Sequence, residues 1–66
     1  MSKTTTDLAS EALASCTYDD ETRDLVVTFI NGRSYTLRGV PDEVHAGLVM
    51  AQSAGSYWHA VLKGNY

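Results

Sequence analysis

The stretch Leu25-Val26-Val27-Thr28-Phe29-Ile30-Asn31-Gly32-Arg33-Ser34-Tyr35-Thr36-Leu37-Arg38 decides the fold. Two alternating runs flank Asn31-Gly32, a strong hairpin signal. Two loop geometries compete. A two-residue turn on Asn31-Gly32 would set Ile30 against Arg33. Leu25, Val27 and Phe29 would then share a face with Arg38, Thr36 and Ser34, mixing an apolar set with a polar one. A three-residue loop, Ile30-Asn31-Gly32, with Gly32 in the left-handed bulge position, sets Val27 across from Tyr35, Leu25 across from Leu37, and Phe29 beside Arg33. Thr28 and Ser34, and Val26 and Thr36, then meet on the opposite face. A sheet covered on one side shows this segregation, and a one-residue slip would turn every side chain over. The bulged loop is therefore expected, with Tyr35 pointing inward as a core residue.

Working outward, Gly39-Val40-Pro41 ends the hairpin, and Pro41 suits a first helical position, where its missing N–H costs nothing. Asp42 and Glu43 sit at the positive end of that helix, and Val44, Leu48 and Ala51 recur at helical spacing, with Gly47 a weak point. Ser53 can cap a second helix running to about Lys63, with Trp58, Val61 and Leu62 as its apolar stripe and Gly64 as its stop. On the other side, Leu13–Tyr18 reads as a first strand. Ala14, Cys16 and Tyr18 would share one face, with Leu13, Ser15 and Thr17 on the other. Asp19–Asp24 reads as an acidic turn. Residues 1–12 read as a flexible or weakly helical segment, polar over Ser2–Thr6 and with Asp7 as a potential cap for Leu8–Leu13. The expected fold is α+β: a small antiparallel meander of about three strands, covered on one face by two C-terminal helices, with the domain over 13–66.

The 66 residues make one small domain, which excludes multi-domain enzymes, repeat arrays and most cofactor folds. The net charge is −3. Its distribution is uneven: residues 1–24 hold two cations, Lys3 and Arg23, against six carboxylates, while residues 25–66 hold Arg33, Arg38 and Lys63 against Asp42 and Glu43. Such a chain lacks the strongly basic face of a non-specific nucleic-acid binder, so any nucleic-acid contact needs a local arginine patch. The single cysteine, Cys16, cannot close a disulfide within the chain, which points to a reducing compartment. No signal-peptide pattern and no membrane-length apolar run is present. A cytoplasmic location without a membrane partner is expected.

Tyr18-Asp19, Leu25, Val27, Phe29, Asn31-Gly32, Tyr35, Val40-Pro41, Val44, Leu48, Ala51, Ser53, Gly55, Tyr57, Lys63 and Tyr66 together resemble the KTSC domain, a short module found alone in bacteria and phages. It is also found at the C-terminus of some lysyl-tRNA synthetases. The resemblance covers about residues 13–66. It departs from the family pattern at two places. The family's central Tyr-x-Tyr is here Tyr35-Thr36-Leu37, and its usual Phe-Asn is here Trp58-His59. The synthetase association implies RNA binding as the function to test, although fold analogy alone does not license function.

Arg33, Arg38, Tyr57, Lys63 and Tyr66 are the candidate ligand-binding residues. The two arginines, with Lys63 and Tyr57, could grip a phosphate through arginine's planar fork. The plain alternative is a solvated strand end whose charge blunts an edge. Tyr57 and Tyr66 could stack on an unpaired base, whereas Trp58 belongs to the apolar stripe and the core. No catalytic residue, metal site or cofactor is expected. His45 and His59 lack ligand spacing, nothing places Cys16 beside either, and Cys16 reads as a small buried apolar residue. Asp19, Asp20, Glu21 and Asp24 lack a calcium-loop pattern, and Ser53-Ala54-Gly55 lacks the glycine density of a phosphate loop. The reading is a small non-enzymatic binding module for RNA, a nucleotide or another phosphate-bearing ligand. The alternative is a protein-interaction module, an adaptor or inhibitor, using an exposed strand edge or the Trp58 helix, in one form as a homodimer.

Overall fold

In the computed structural model, which describes residues 3–8 and 10–66, the hairpin takes the bulged register. Val27 opposes Tyr35, Leu25 opposes Leu37, Val26 opposes Thr36 and Thr28 opposes Ser34. The Phe29 N–H donates to the Arg33 carbonyl at 2.7 Å, and the Gly32 N–H to the Phe29 carbonyl at 3.0 Å. Gly32 has φ +93, a conformation open to glycine at no steric cost. The Ile30 N–H does not meet Arg33 but donates to the Ala12 carbonyl at 3.0 Å.

The sheet is an antiparallel meander in the order β1 (Lys3–Asp7), β2 (Leu13–Asp19), β3 (Asp24–Phe29), β4 (Ser34–Leu37). Four strands replace the three expected, because β1 lies in the segment read as flexible or weakly helical. Its run of β-branched threonines fits a pleated edge but has no apolar alternation to announce it. Thr5 and Thr17 join their hydroxyls across the pair at 3.0 Å. Leu8 and residues 10–13, the described part of the segment after the potential Asp7 cap, are not helical either. Ser10 Oγ accepts the Ala12 and Leu13 N–H groups at 3.2 and 3.4 Å, making a turn, and Leu8 is buried.

The faces of β2 also differ from expectation. Leu13 opposes Phe29 and Ser15 opposes Thr28, so Ala14 is an extra residue without a partner across the pair. That bulge shifts the alternation and places Leu13 on the inner face with Cys16 and Tyr18, all three buried.

The inner face, with Leu25, Val27 and Leu37, meets Leu8, Val40, Leu48, Ala54, Trp58 and Leu62 in one core. Both helices therefore cover the same side. The first, α1 (Asp42–Met50), is preceded by Pro41 as N-cap, with ψ 153, rather than containing it. The second, α2 (Ala54–Tyr57), starts from Ser53, whose side chain accepts the Ser56 N–H at 3.2 Å. It then widens into a π-helical turn over Trp58–Leu62, closed by the Lys63 N–H on the Trp58 carbonyl at 2.7 Å. Among the described residues no helix is long and apolar enough to cross a membrane.

Two contacts tie α1 into place. The Tyr18 hydroxyl donates to the Val40 carbonyl at 2.5 Å, and its ring stacks on His45 at 4.5 Å and 10°. The Tyr57 hydroxyl donates to the Val44 carbonyl at 3.1 Å and lies directly over Gly47, where a Cβ would overlap it. Gly47, a weak point by helix propensity, is the position that lets the two helices close. Gly47→Ala should therefore destabilise by about 1–3 kcal/mol through overpacking, against the roughly 1 kcal/mol that alanine gains in a helix. In a Tyr57→Ala background the same substitution should become stabilising; chemical denaturation of the four-member cycle reads the reversal.

His45 supplies a second prediction. Its Nε2 is buried without a hydrogen-bond partner among the described residues. Burial lowers its pKa from 6.5, partly opposed by the Asp42 carboxylate. A histidine that resists protonation when folded contributes stability in full above its unfolded pKa, and loses it as pH falls from about 6.5 toward the folded value. Stability measured by urea unfolding should thus fall between pH 7.5 and 5, and His45→Phe should flatten that fall.

Candidate functional site

The bulged register and the π-helical turn together build an aromatic cleft. Phe29 and Tyr35 stand on the inner face of neighbouring strands, with ring centroids 5.4 Å apart at 75°. Trp58 meets Phe29 edge-on at 5.2 Å and 84°, and lies tilted against Tyr35 at 5.6 Å and 48°. The two edge-to-face contacts satisfy the ring quadrupoles, and the three rings form one continuous wall. Beside it opens a cleft of about 380 Å³, whose sheet side is Phe29, Tyr35 and Leu37 and whose helical side is Trp58, His59, Lys63, Gly64 and Tyr66. The size is at the small end of ligand pockets. A π-helical turn inserts an extra residue into the helical ladder and is frequent at functional sites. Here it is the segment from Trp58 to Leu62, so both His59 and Lys63 are delivered to the cleft.

The candidate residues fall into separate places. Lys63 and Tyr66 line the cleft, and Tyr66 is 43% exposed. Tyr57 does not: its hydroxyl is engaged by Val44 and its ring by Gly47, between the helices. Arg33 and Arg38 immediately flank β4 at its two ends and are exposed. Roughly 15 Å of extended strand separates them, and they fall on opposite faces of the sheet. Neither lines the cleft, so the grip of Arg33, Arg38, Lys63 and Tyr57 on a single phosphate does not assemble.

The wall of the cleft comes instead from residues read as core. Tyr35 is on the inner face but 44% exposed, because it lies on the edge strand β4, with Phe29 and Trp58 against its ring and the open cleft beside it. Trp58 is buried and belongs to the core, yet contributes to the cleft lining. The hairpin register already put Phe29 and Tyr35 on one face, and that shared face was the available signal.

Other reactive groups sit outside the cleft. Cys16 is fully buried, and burial pushes its thiol pKa up, which suppresses the reactive thiolate. Burial and the nearby Asp42 charge likewise raise the Tyr18 hydroxyl. In the acidic turn, Asp19 Oδ1 accepts the Glu21 and Thr22 N–H groups at 2.9 and 3.3 Å. Those bonds lower the Asp19 carboxyl pKa. Among the described residues no three His, Cys, Asp or Glu side chains gather into a cation site.

The model of the KTSC domain family matches residues 9–66. An uncharacterized protein of Stutzerimonas stutzeri (strain A1501) is 39% identical over 56 residues, covering 85% of this chain and 79% of its own length. The crystal structure of a KTSC domain protein from Yersinia pestis superposes with a TM-score of 0.90 at 28% identity, over 97% of this chain and 90% of the other.

Proposed function

The chain belongs to the KTSC domain family, and we propose that it works as a small non-enzymatic binding module whose ligand site is the aromatic cleft. The ligand class is RNA or another phosphate-bearing molecule with a planar base. The observation that carries this reading is the continuous wall of Phe29, Tyr35 and Trp58 with Lys63 at its margin. An unpaired base gains roughly 1–3 kcal/mol by stacking on an aromatic ring, and a lysine ammonium is a compact partner for the phosphate that follows it. Tyr66 and His59 add a further ring and a further donor to the same opening. A single cation in the cleft makes recognition depend on stacking more than on charge.

Trp58 is the sole tryptophan, so its fluorescence reports on the cleft directly. Short single-stranded oligoribonucleotides should change it saturably, with a log–log salt slope of about −1 because few cations take part. Tyr35→Ala should weaken binding by about 5- to 150-fold, the equivalent of one lost stack, and Lys63→Ala should flatten the salt dependence. An unchanged fluorescence at low salt across such ligands would end this reading. A protein-interaction module is the second reading, and the observation favouring it is the open edge of β4.

A further inference from the structure

We infer that the open edge of β4 is a docking site for an extended acidic peptide segment, which joins the sheet as a fifth strand. Opposed residues in an antiparallel pair alternate between exchanging both backbone hydrogen bonds and exchanging none. The Phe29 N–H on the Arg33 carbonyl fixes that phase. Tyr35 and Leu37 therefore turn their backbone groups toward β3, while Ser34 and Thr36 turn theirs outward. Ser34, Tyr35 and Thr36 are all exposed, and no backbone hydrogen bond from outside the sheet reaches them among the described residues. This is a short ladder of two N–H and two C=O groups awaiting a strand, the arrangement that strand-addition modules use.

Charge selects the occupant. Arg33 and Arg38 stand at the two ends of this edge. Two copies pairing β4 against β4 antiparallel through Ser34 and Thr36 would gather two Arg33 and two Arg38 side chains along one seam, an accumulation of like charge that disfavours the pair. An acidic strand of six residues meets a cation at each end instead, Arg33 on the inner face and Arg38 on the outer. The other sheet edge, β1, carries Lys3 and Asp7 at its two ends and offers no such preference. Tyr35 faces inward, so the residue of the incoming strand opposite it comes down at the mouth of the cleft, where an aromatic side chain fits.

Of the exposed residues of β4 only Tyr35 lines the cleft, and the backbone ladder of Ser34 and Thr36 gives the edge a footprint of its own. The test titrates the isotope-labelled full chain with a blocked six-residue peptide, Glu-Val-Val-Phe-Val-Glu, whose ends oppose Arg38 and Arg33 when its Phe opposes Tyr35, and with its counterpart Lys-Val-Val-Phe-Val-Lys. The acidic peptide should shift the Ser34 and Thr36 amides and slow their hydrogen exchange, and should bind about tenfold more tightly than the basic one. Thr36→Pro removes an outward donor without touching the β3 ladder, a place where proline is tolerated on an edge strand, and should abolish binding. The pair Arg33→Glu and Arg38→Glu, which leaves the backbone intact, should reverse the preference toward the basic peptide. Equal binding of both peptides, or no protection of Ser34 and Thr36 at millimolar peptide, would overturn the inference. So would protection of these amides by a second copy of the chain or by an oligoribonucleotide.

Discussion

Gly32 in its left-handed conformation sets the phase of β3 against β4, and the inner face of the sheet depends on that phase. With the bulge in place, Leu25, Val27 and Phe29 share a face with Leu37 and Tyr35. The first two and Leu37 enter the core, while Phe29 and Tyr35, nearer the hairpin end, meet Trp58. A register shifted by one residue would put Thr36 and Ser34 under the helices and carry Tyr35 to the solvated face. The same phase decides which backbone groups of β4 face outward, so the cleft and the edge are two products of one turn. A second bulge, at Ala14, does comparable work in β2 by turning Leu13 inward beneath the helices.

The helical layer is closed by the polar tips of two tyrosines. Tyr57 fills the space over Gly47 and reaches the Val44 carbonyl. Tyr18 reaches the Val40 carbonyl and stacks on His45. In a domain this small, where a modest fraction of the surface can be buried, such polar tips anchor loops while their rings extend the core. That leaves Phe29, Tyr35, Tyr66 and one margin of Trp58 as the aromatic lining of the cleft.

The hairpin, both helices and the Ser53 cap were legible because each has a local cause: a glycine at a bulge, a stripe at helical spacing, a hydroxyl before a helix. The first strand was not, because Lys3–Asp7 has no apolar alternation and is recruited by pairing with β2. The faces of β2 were misread because nothing in Leu13-Ala14-Ser15 announces a bulge. The candidate site was legible in part. Lys63 and Tyr66 lie at the cleft, while Arg33 and Arg38 do not join them: they are at opposite ends of one strand, as the sequence indicates, and five residues apart, a spacing that turns them to different faces. Tyr57 was a reasonable surface aromatic until its partner, Gly47, came from another helix. The π-helical turn, which carries Trp58 and delivers Lys63, arises from tertiary packing and has no sequence signature here.

The central claim is that the wall formed by Phe29, Tyr35 and Trp58 is a ligand surface as well as a part of the core. Isotope-filtered nuclear Overhauser measurements on the labelled chain, saturated with an unlabelled single-stranded oligoribonucleotide, test it most directly. The account predicts contacts between base protons and the ring protons of Tyr35 and Trp58, with the Lys63 side chain near the adjoining ribose. Contacts confined to the outer face of the sheet, at Thr17, Val26 and Thr36, would contradict it.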